Sequence, residues 1–190
     1  MTHAHGHPSG ELSDVLLDVP KPCDGCWITG FGPALTTPAG TPVDPSRGVM
    51  LHHFVLADGL PSCGTVARPD PRFFAAGAEL SAGSFPAGYG YHVDEGDRWG
   101  AVVELMNTGS ETQLVYIDVE FEHTSELQRD VDPLWFDIGR CGSSTYSIPA
   151  SRSVTDRIYR LGIAGEIVAA VATFTRVVSS FRSLTKRPIN

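Results

Sequence analysis

Two adjacent histidines, His52 and His53, sit inside the apolar run Gly48-Val49-Met50-Leu51-His52-His53-Phe54-Val55-Leu56-Ala57. Neutral imidazole is the commonest metal ligand a protein offers, and it suits copper and zinc. Burying such a ring without a partner costs about 1–3 kcal/mol, so the pair calls for an explanation. Neighbouring residues of a strand point to opposite faces. For both rings to hold one ion, the strand must twist, bulge or end at the pair. The plainer arrangement, and the commoner one on spacing alone, turns one ring to solvent and bonds the other to a carbonyl. Met106, one of three methionines, adds a soft thioether that suits Cu(I). The more frequent use of a methionine is to fill a gap in a core.

Other reactive residues are less suggestive. Cys23 and Cys26 form a Cys-x-x-Cys, but one such pair does not complete a tetrahedral zinc site. A thioredoxin-like reading wants a strand–helix–strand context that the sequence lacks. The full set is Cys23, Cys26, Cys63 and Cys141, an even count that suits two disulfides at least as well. Their pairing is not fixed by spacing. His92 follows a Gly-Tyr-Gly-Tyr turn and His123 ends a strand, so both are expected at the surface. Ser143 and Ser144 lack the strand–turn–helix setting of a nucleophilic serine. Asp94, Glu95 and Asp97 read as a solvated turn whose spacing does not match a calcium-binding EF-hand loop. No glycine-rich dinucleotide or phosphate loop is present.

The elements that must position these groups read as short strands. Strand candidates are Asp14–Val19, Cys26–Gly30, the His-His run, Trp99–Met106, Gln113–Glu122, Pro133–Ile138 and Thr145–Ile148. The His-His run is apolar on both faces, which predicts a central, buried strand. Pro33 to Arg47 and Asp58 to Pro71 are rich in turn formers and predict loops. Arg72 to Leu80 is ambiguous, and so is Gly165 to Phe181, where periodicity does not choose between helix and strand. Asn107-Thr108-Gly109-Ser110 between two alternating runs predicts a β-hairpin joining Trp99–Met106 to Gln113–Glu122. The regular spacing of strands and turns predicts an all-β, antiparallel β-sandwich.

Bulk composition agrees with one ordinary globular domain. The chain has 190 residues, 42% apolar and 19% charged, with 20 glycines and 14 prolines to supply turns. A net charge of −8 without a basic stripe argues against a nucleic-acid partner. No run is long and apolar enough to predict a membrane span. The polar, His-rich start Thr2-His3-Ala4-His5-Gly6-His7 does not read as a secretory signal.

Taken in order, five segments resemble one family. They are Lys21 to Cys26 (Lys-Pro-Cys-x-x-Cys), Leu51 to Leu56 (Leu-His-His-Phe-Val-Leu), Ala87 to Tyr91 (Ala-Gly-Tyr-Gly-Tyr), Glu104 to Asn107 and Cys141 to Ser144. This order is similar to the first domain of the copper type II, ascorbate-dependent monooxygenases. It is closer still to a bacterial group of secreted proteins related to them. The likeness covers about residues 15 to 165; its motifs are moderately specific together and weak singly. It implies a jelly-roll-like β-sandwich over 13–165 and an extracytoplasmic setting; the His-rich stretch over 1–12 before it reads from its own residues as a flexible tail. The likeness also implies copper, with ascorbate as reductant and a small molecule or peptide as substrate if the chain is catalytic. His52 and His53 match the paired histidines of the family's three-histidine copper site, and Met106 stands where its third histidine falls. The implied ligand set is therefore His52, His53 and Met106.

A second departure lies beyond residue 165. After Gly165-Glu166-Ile167-Val168-Ala169-Ala170 the resemblance implies Gly-Gly-His-x-His-x-Gly-Gly, the ligands for the copper that activates dioxygen. The chain reads Val171-Ala172-Thr173-Phe174-Thr175-Arg176-Val177-Val178. One coding of that octapeptide, read one register over from an Ala170 codon ending in G, gives Gly-Gly-His-Leu-His-Pro-Gly-Gly. Residues 166–190 thus read as an atypical C-terminal tail, out of frame from about Val171. The expectation is a copper-binding domain incomplete for C–H hydroxylation. The alternative is a non-catalytic β-sandwich serving as an interaction or structural module.

Overall fold

The computed structural model describes residues 10–43, 45–62, 70–138, 147, 149–159 and 164–172. Its strands are β1 (Gly10–Val19), β2 (Cys26–Thr36), β3 (Val49–Asp58), β4 (Arg72–Gly77), β5 (Gly83–Ser84), β6 (Tyr89–Val93), β7 (Trp99–Asn107), β8 (Tyr116–Thr124) and β9 (Arg129–Asp130). Two sheets result. The first has the order β1-β7-β3-β4, antiparallel throughout. The second has β2 at its centre, with β8 along one side and β5 and β6 sharing the other. Its last member, β9, lies parallel to β6. The chain is an all-β sandwich, as the turn spacing predicts.

Alternation builds the core. Trp99, Ala101, Val103 and Leu105 of β7 are all buried, and so are Leu51, Phe54 and Leu56 of β3. They meet Ile28 and Leu35 of β2 in one cluster. Rings join the layers: Phe31 of β2 stacks on Phe74 of β4 with centroids 4.4 Å apart, and Trp99 lies 5.6 Å from Phe121 of β8. Such pairs add about 0.5–1.5 kcal/mol beyond the area they bury. The core forms where each sheet turns its apolar face inward.

Several local expectations change. β2 does not stop at Gly30 but runs through Pro33 to Thr36, paired with β8 to the end. Proline cannot donate to a ladder. Pro33 lies beyond the last β5 pairing at Phe31, where β2 keeps one neighbour, so the missing donor costs little. Trp99–Met106 and Gln113–Glu122 do not form a hairpin. Both sides of β7 are occupied, by β1 and β3, so the chain crosses over and adds β8 to the opposite sheet. Arg72 to Leu80 resolves into β4 and a turn, and β3 is central, between β7 and β4. Pro133–Ile138 is not a strand. Instead Trp135 and Asp137 anchor it to β4: Arg72 stacks 4.4 Å over the Trp135 ring and bonds Asp70 and Asp137 at 2.6 and 2.9 Å. Residues 164–172 carry no regular structure. The strand candidate at Thr145–Ile148, apart from Ser147, and the rest of Gly165–Phe181 lie outside the described residues.

Candidate metal centre

The key feature is a break in the pairing of β3 with β7. Leu51 faces Leu105 and Phe54 faces Val103, both pairs on the core side. Between them β3 has two residues, His52 and His53, where β7 has one, Glu104. This two-against-one count is a β-bulge. It turns both imidazoles to the outer face of the first sheet. Buried positions of β3 fall at 49, 51, 54, 56 and 57, with a step of three across the bulge. The apolar Met50 and Val55 on the other face hide that phase change from a simple hydropathy reading.

The rings lie side by side, centroids 4.3 Å apart and planes 48° from parallel. One ligand atom each from His52, His53 and Glu104 fall within 4.8 Å of one another, and all three residues are partly buried. His52 Nδ1 is 3.0 Å from a Glu104 carboxylate oxygen and 3.5 Å from Glu11 of β1. Glu11 is an exposed strand residue, so its share in the pairing is weak. His53 is driven toward its neutral form. Burial lowers its pKa first, the neighbouring His52 adds to that, and the Glu104, Glu79 and Glu11 carboxylates oppose it. A neutral imidazole has a lone pair free for a metal.

Met106 lies two residues along β7 from Glu104, hence on the same outer face and about 7 Å farther along the strand. There it faces Met50 of β3 on one side and Glu11 of β1 on the other. The outer face therefore carries two imidazoles, the Glu104 and Glu11 carboxylates and two thioethers in adjoining rows. Sequence reasoning singled out His52, His53 and Met106. It missed Glu104 as a donor, because only the β3–β7 register brings that residue to the histidines.

Gly77 of β4 sits opposite His53. A Cβ there would come within 2.7 Å of Glu79 Oε2 and 3.2 Å of the His52 carbonyl oxygen. Glu79 folds back to accept from the Gly77 amide at 2.9 Å, which adds a negative charge near the pair.

The remaining candidates fall elsewhere. His92 leans on the Trp27 ring, centroids 4.6 Å apart, with Asp94 at 3.3 Å. Cys23 and Cys26 form a disulfide, and His123, exposed as expected, lies beside it. The acidic turn is closed by its own chain: the Asp94 amide donates to Asp97 at 2.8 Å, and Lys21 donates to the Asp94 and Glu95 carbonyls. Cys63, Cys141, Ser143 and Ser144 lie outside the described residues. No helix among the described residues is long and apolar enough to cross a membrane. No family model, curated protein or solved structure matches the chain.

Proposed function

We propose that this chain is a copper-binding β-sandwich. Its site is built from His52 and His53 of β3 and the Glu104 carboxylate of β7, with the Met106 thioether on the same face. The observation that carries the reading is the bulge, which gives two adjacent histidines one common side beside a carboxylate. Imidazole nitrogens and a carboxylate suit Cu(II), and a neighbouring thioether suits Cu(I), so the donor set fits both copper valences. Bound copper would supply one-electron chemistry, with ascorbate as the reductant if the chain turns over. The chain's own residues do the rest. The bulge holds both rings, Glu104 orients His52 through Nδ1, and burial keeps His53 unprotonated.

The resemblance to ascorbate-dependent monooxygenases supports copper over other metals that accept two histidines and a carboxylate. It also supports a jelly-roll descent and an extracytoplasmic setting. C–H hydroxylation by this chain alone is not part of the proposal. The family's dioxygen site needs a His-x-His motif where this chain reads Val171 to Val178. We propose that a shift of reading frame near Ala170 accounts for that stretch. Sequencing the gene tests it: the alternate register should continue an open frame beyond Gly-Gly-His-Leu-His-Pro-Gly-Gly, and an immediate stop in that register contradicts it.

One observation favours a non-catalytic module instead. The 3.0 Å contact between His52 Nδ1 and Glu104 pairs that ring nitrogen and the carboxylate with each other without an ion. Copper titration separates the two readings. The parent chain should take up one equivalent, with at least about tenfold weaker binding in His52→Ala and in His53→Ala. Equal uptake by all three proteins rules out the site.

A further inference from the structure

The Cys-x-x-Cys pair has a third partner that its sequence does not announce. β8 runs antiparallel to β2, setting His123 against Ile28 and Thr124 against Trp27. This carries the end of β8 to the turn that leads into β2. A ring nitrogen of His123 and the sulfurs of Cys23 and Cys26 then lie within 4.8 Å of one another. The trio belongs to the second sheet, whereas His52, His53 and Glu104 belong to the first.

We propose that reduction of the Cys23–Cys26 disulfide opens a second metal site, in which both thiolates and a His123 ring nitrogen hold a thiophilic divalent ion of the zinc class. This end of the sandwich then alternates between disulfide and metal with thiol redox state. The ligand chemistry suits that ion: thiolate and imidazole are its preferred donors, and three of them leave a fourth tetrahedral position for water. The steric demand is modest. The Cα atoms are 6.1 Å apart. The sulfurs need to part only to roughly 3.8 Å around an ion with bonds of about 2.3 Å.

The frame that holds the ligands does not depend on the disulfide. Lys21 pairs with Asp24 at 2.7 Å and donates to the carbonyls of Asp94 and Glu95 at 2.8 and 3.1 Å. The Gly25 amide donates to the Val93 carbonyl at 2.9 Å, and Gly25 takes a φ of 69° that favours glycine. The loop is thus tied to the β6 end and the following turn from both sides. A thioredoxin-type exchange centre is a poorer match. It places its first cysteine at a helix N-terminus, which lowers that thiol's pKa. Here the pair leads directly into a strand, and Cys26 is 4% exposed.

The chemistry balances simply. A dithiol reductant passes two electrons and two protons to the disulfide and leaves as its own cyclic disulfide. Cys23 and Cys26 become thiols. Metal binding then releases their two protons to solvent, and His123 binds through a neutral nitrogen.

Co²⁺ serves as the optical probe for the zinc-class ion. The full chain is reduced with a dithiol, desalted without oxygen and titrated with Co²⁺. The reduced protein should show a sulfur-to-cobalt charge-transfer band that the oxidised protein lacks. Cys23→Ser should lose the band, and the exposed His123→Ala should bind on the order of tenfold or more weakly. His52→Ala/His53→Ala should leave the band unchanged, so a failed copper site does not disturb this test. Three results each overturn the proposal: no band in the reduced parent, a full band in Cys23→Ser, or unweakened binding in His123→Ala.

Discussion

His53 is the residue whose environment says most about the site. Burial and the adjacent His52 lower its pKa below the ordinary value of 6.5. In the window between 6.5 and the lowered value, the unfolded chain binds a proton that the folded chain refuses. Stability is therefore unaffected by His53 above that window and falls as pH drops through it. His53→Gln should flatten this dependence, compared by urea denaturation at pH values on either side of the window. An equal acid-side loss in parent and variant would contradict the assignment. At this scale the sequence offered candidates and no more. His52, His53 and Met106 are residue types that suit a soft metal, yet spacing alone favours one ring in solvent, one on a carbonyl and a methionine filling the core. Glu104 and His123 did not stand out, because a carboxylate or a histidine on a strand is ordinary until its register is known. Each becomes a neighbour of the key groups only through strands distant in sequence.

The bulge in β3 is the element-scale device that makes adjacent histidines useful. Without it, alternation would send one ring into the core beside Leu51 and Phe54. The step from 51 to 54 shows only in the buried positions, because Met50 and Val55 make the run apolar on both faces. The long strands β1, β2, β3, β7 and β8 were legible, since alternation and turn formers are local; β4 was ambiguous, β6 read as a turn, and the short β5 and β9 gave no signal. Their partners were not: the hairpin expected between β7 and β8 obeys every local rule and fails because β1 and β3 already occupy both sides of β7. The same crowding yields a prediction. A Cβ at Gly100 would approach the Gly59 carbonyl oxygen at 2.6 Å, with the Leu16 carbonyl oxygen and Pro61 Cδ at 3.1 Å. Two of these three contacts are backbone, so little can yield. Gly100→Ala should destabilise the fold by about 1–3 kcal/mol in equilibrium denaturation. A change below about 0.5 kcal/mol would mean that β1, β7 and the turn after β3 are less tightly joined than described.

Across the whole molecule, the two sheets divide their roles. Both contribute a core face, and Trp99, Phe31 and Phe74 knit those faces together. The outer face of the first sheet carries His52, His53, Glu104 and Met106, while the end of the second sheet where β2 begins and β8 finishes carries the disulfide and His123. Fold class was readable from composition and turn spacing, because a chain rich in short alternating runs has few ways to bury them. The order of strands was not, because it depends on which edges are already taken. The proposed role rests on copper sitting at the histidine pair. Electron paramagnetic resonance of the chain loaded with one equivalent of Cu(II) tests that most directly. The account predicts nitrogen hyperfine structure from two imidazoles that disappears in His52→Ala/His53→Ala. A spectrum unchanged in that double variant would place the copper elsewhere and contradict the account.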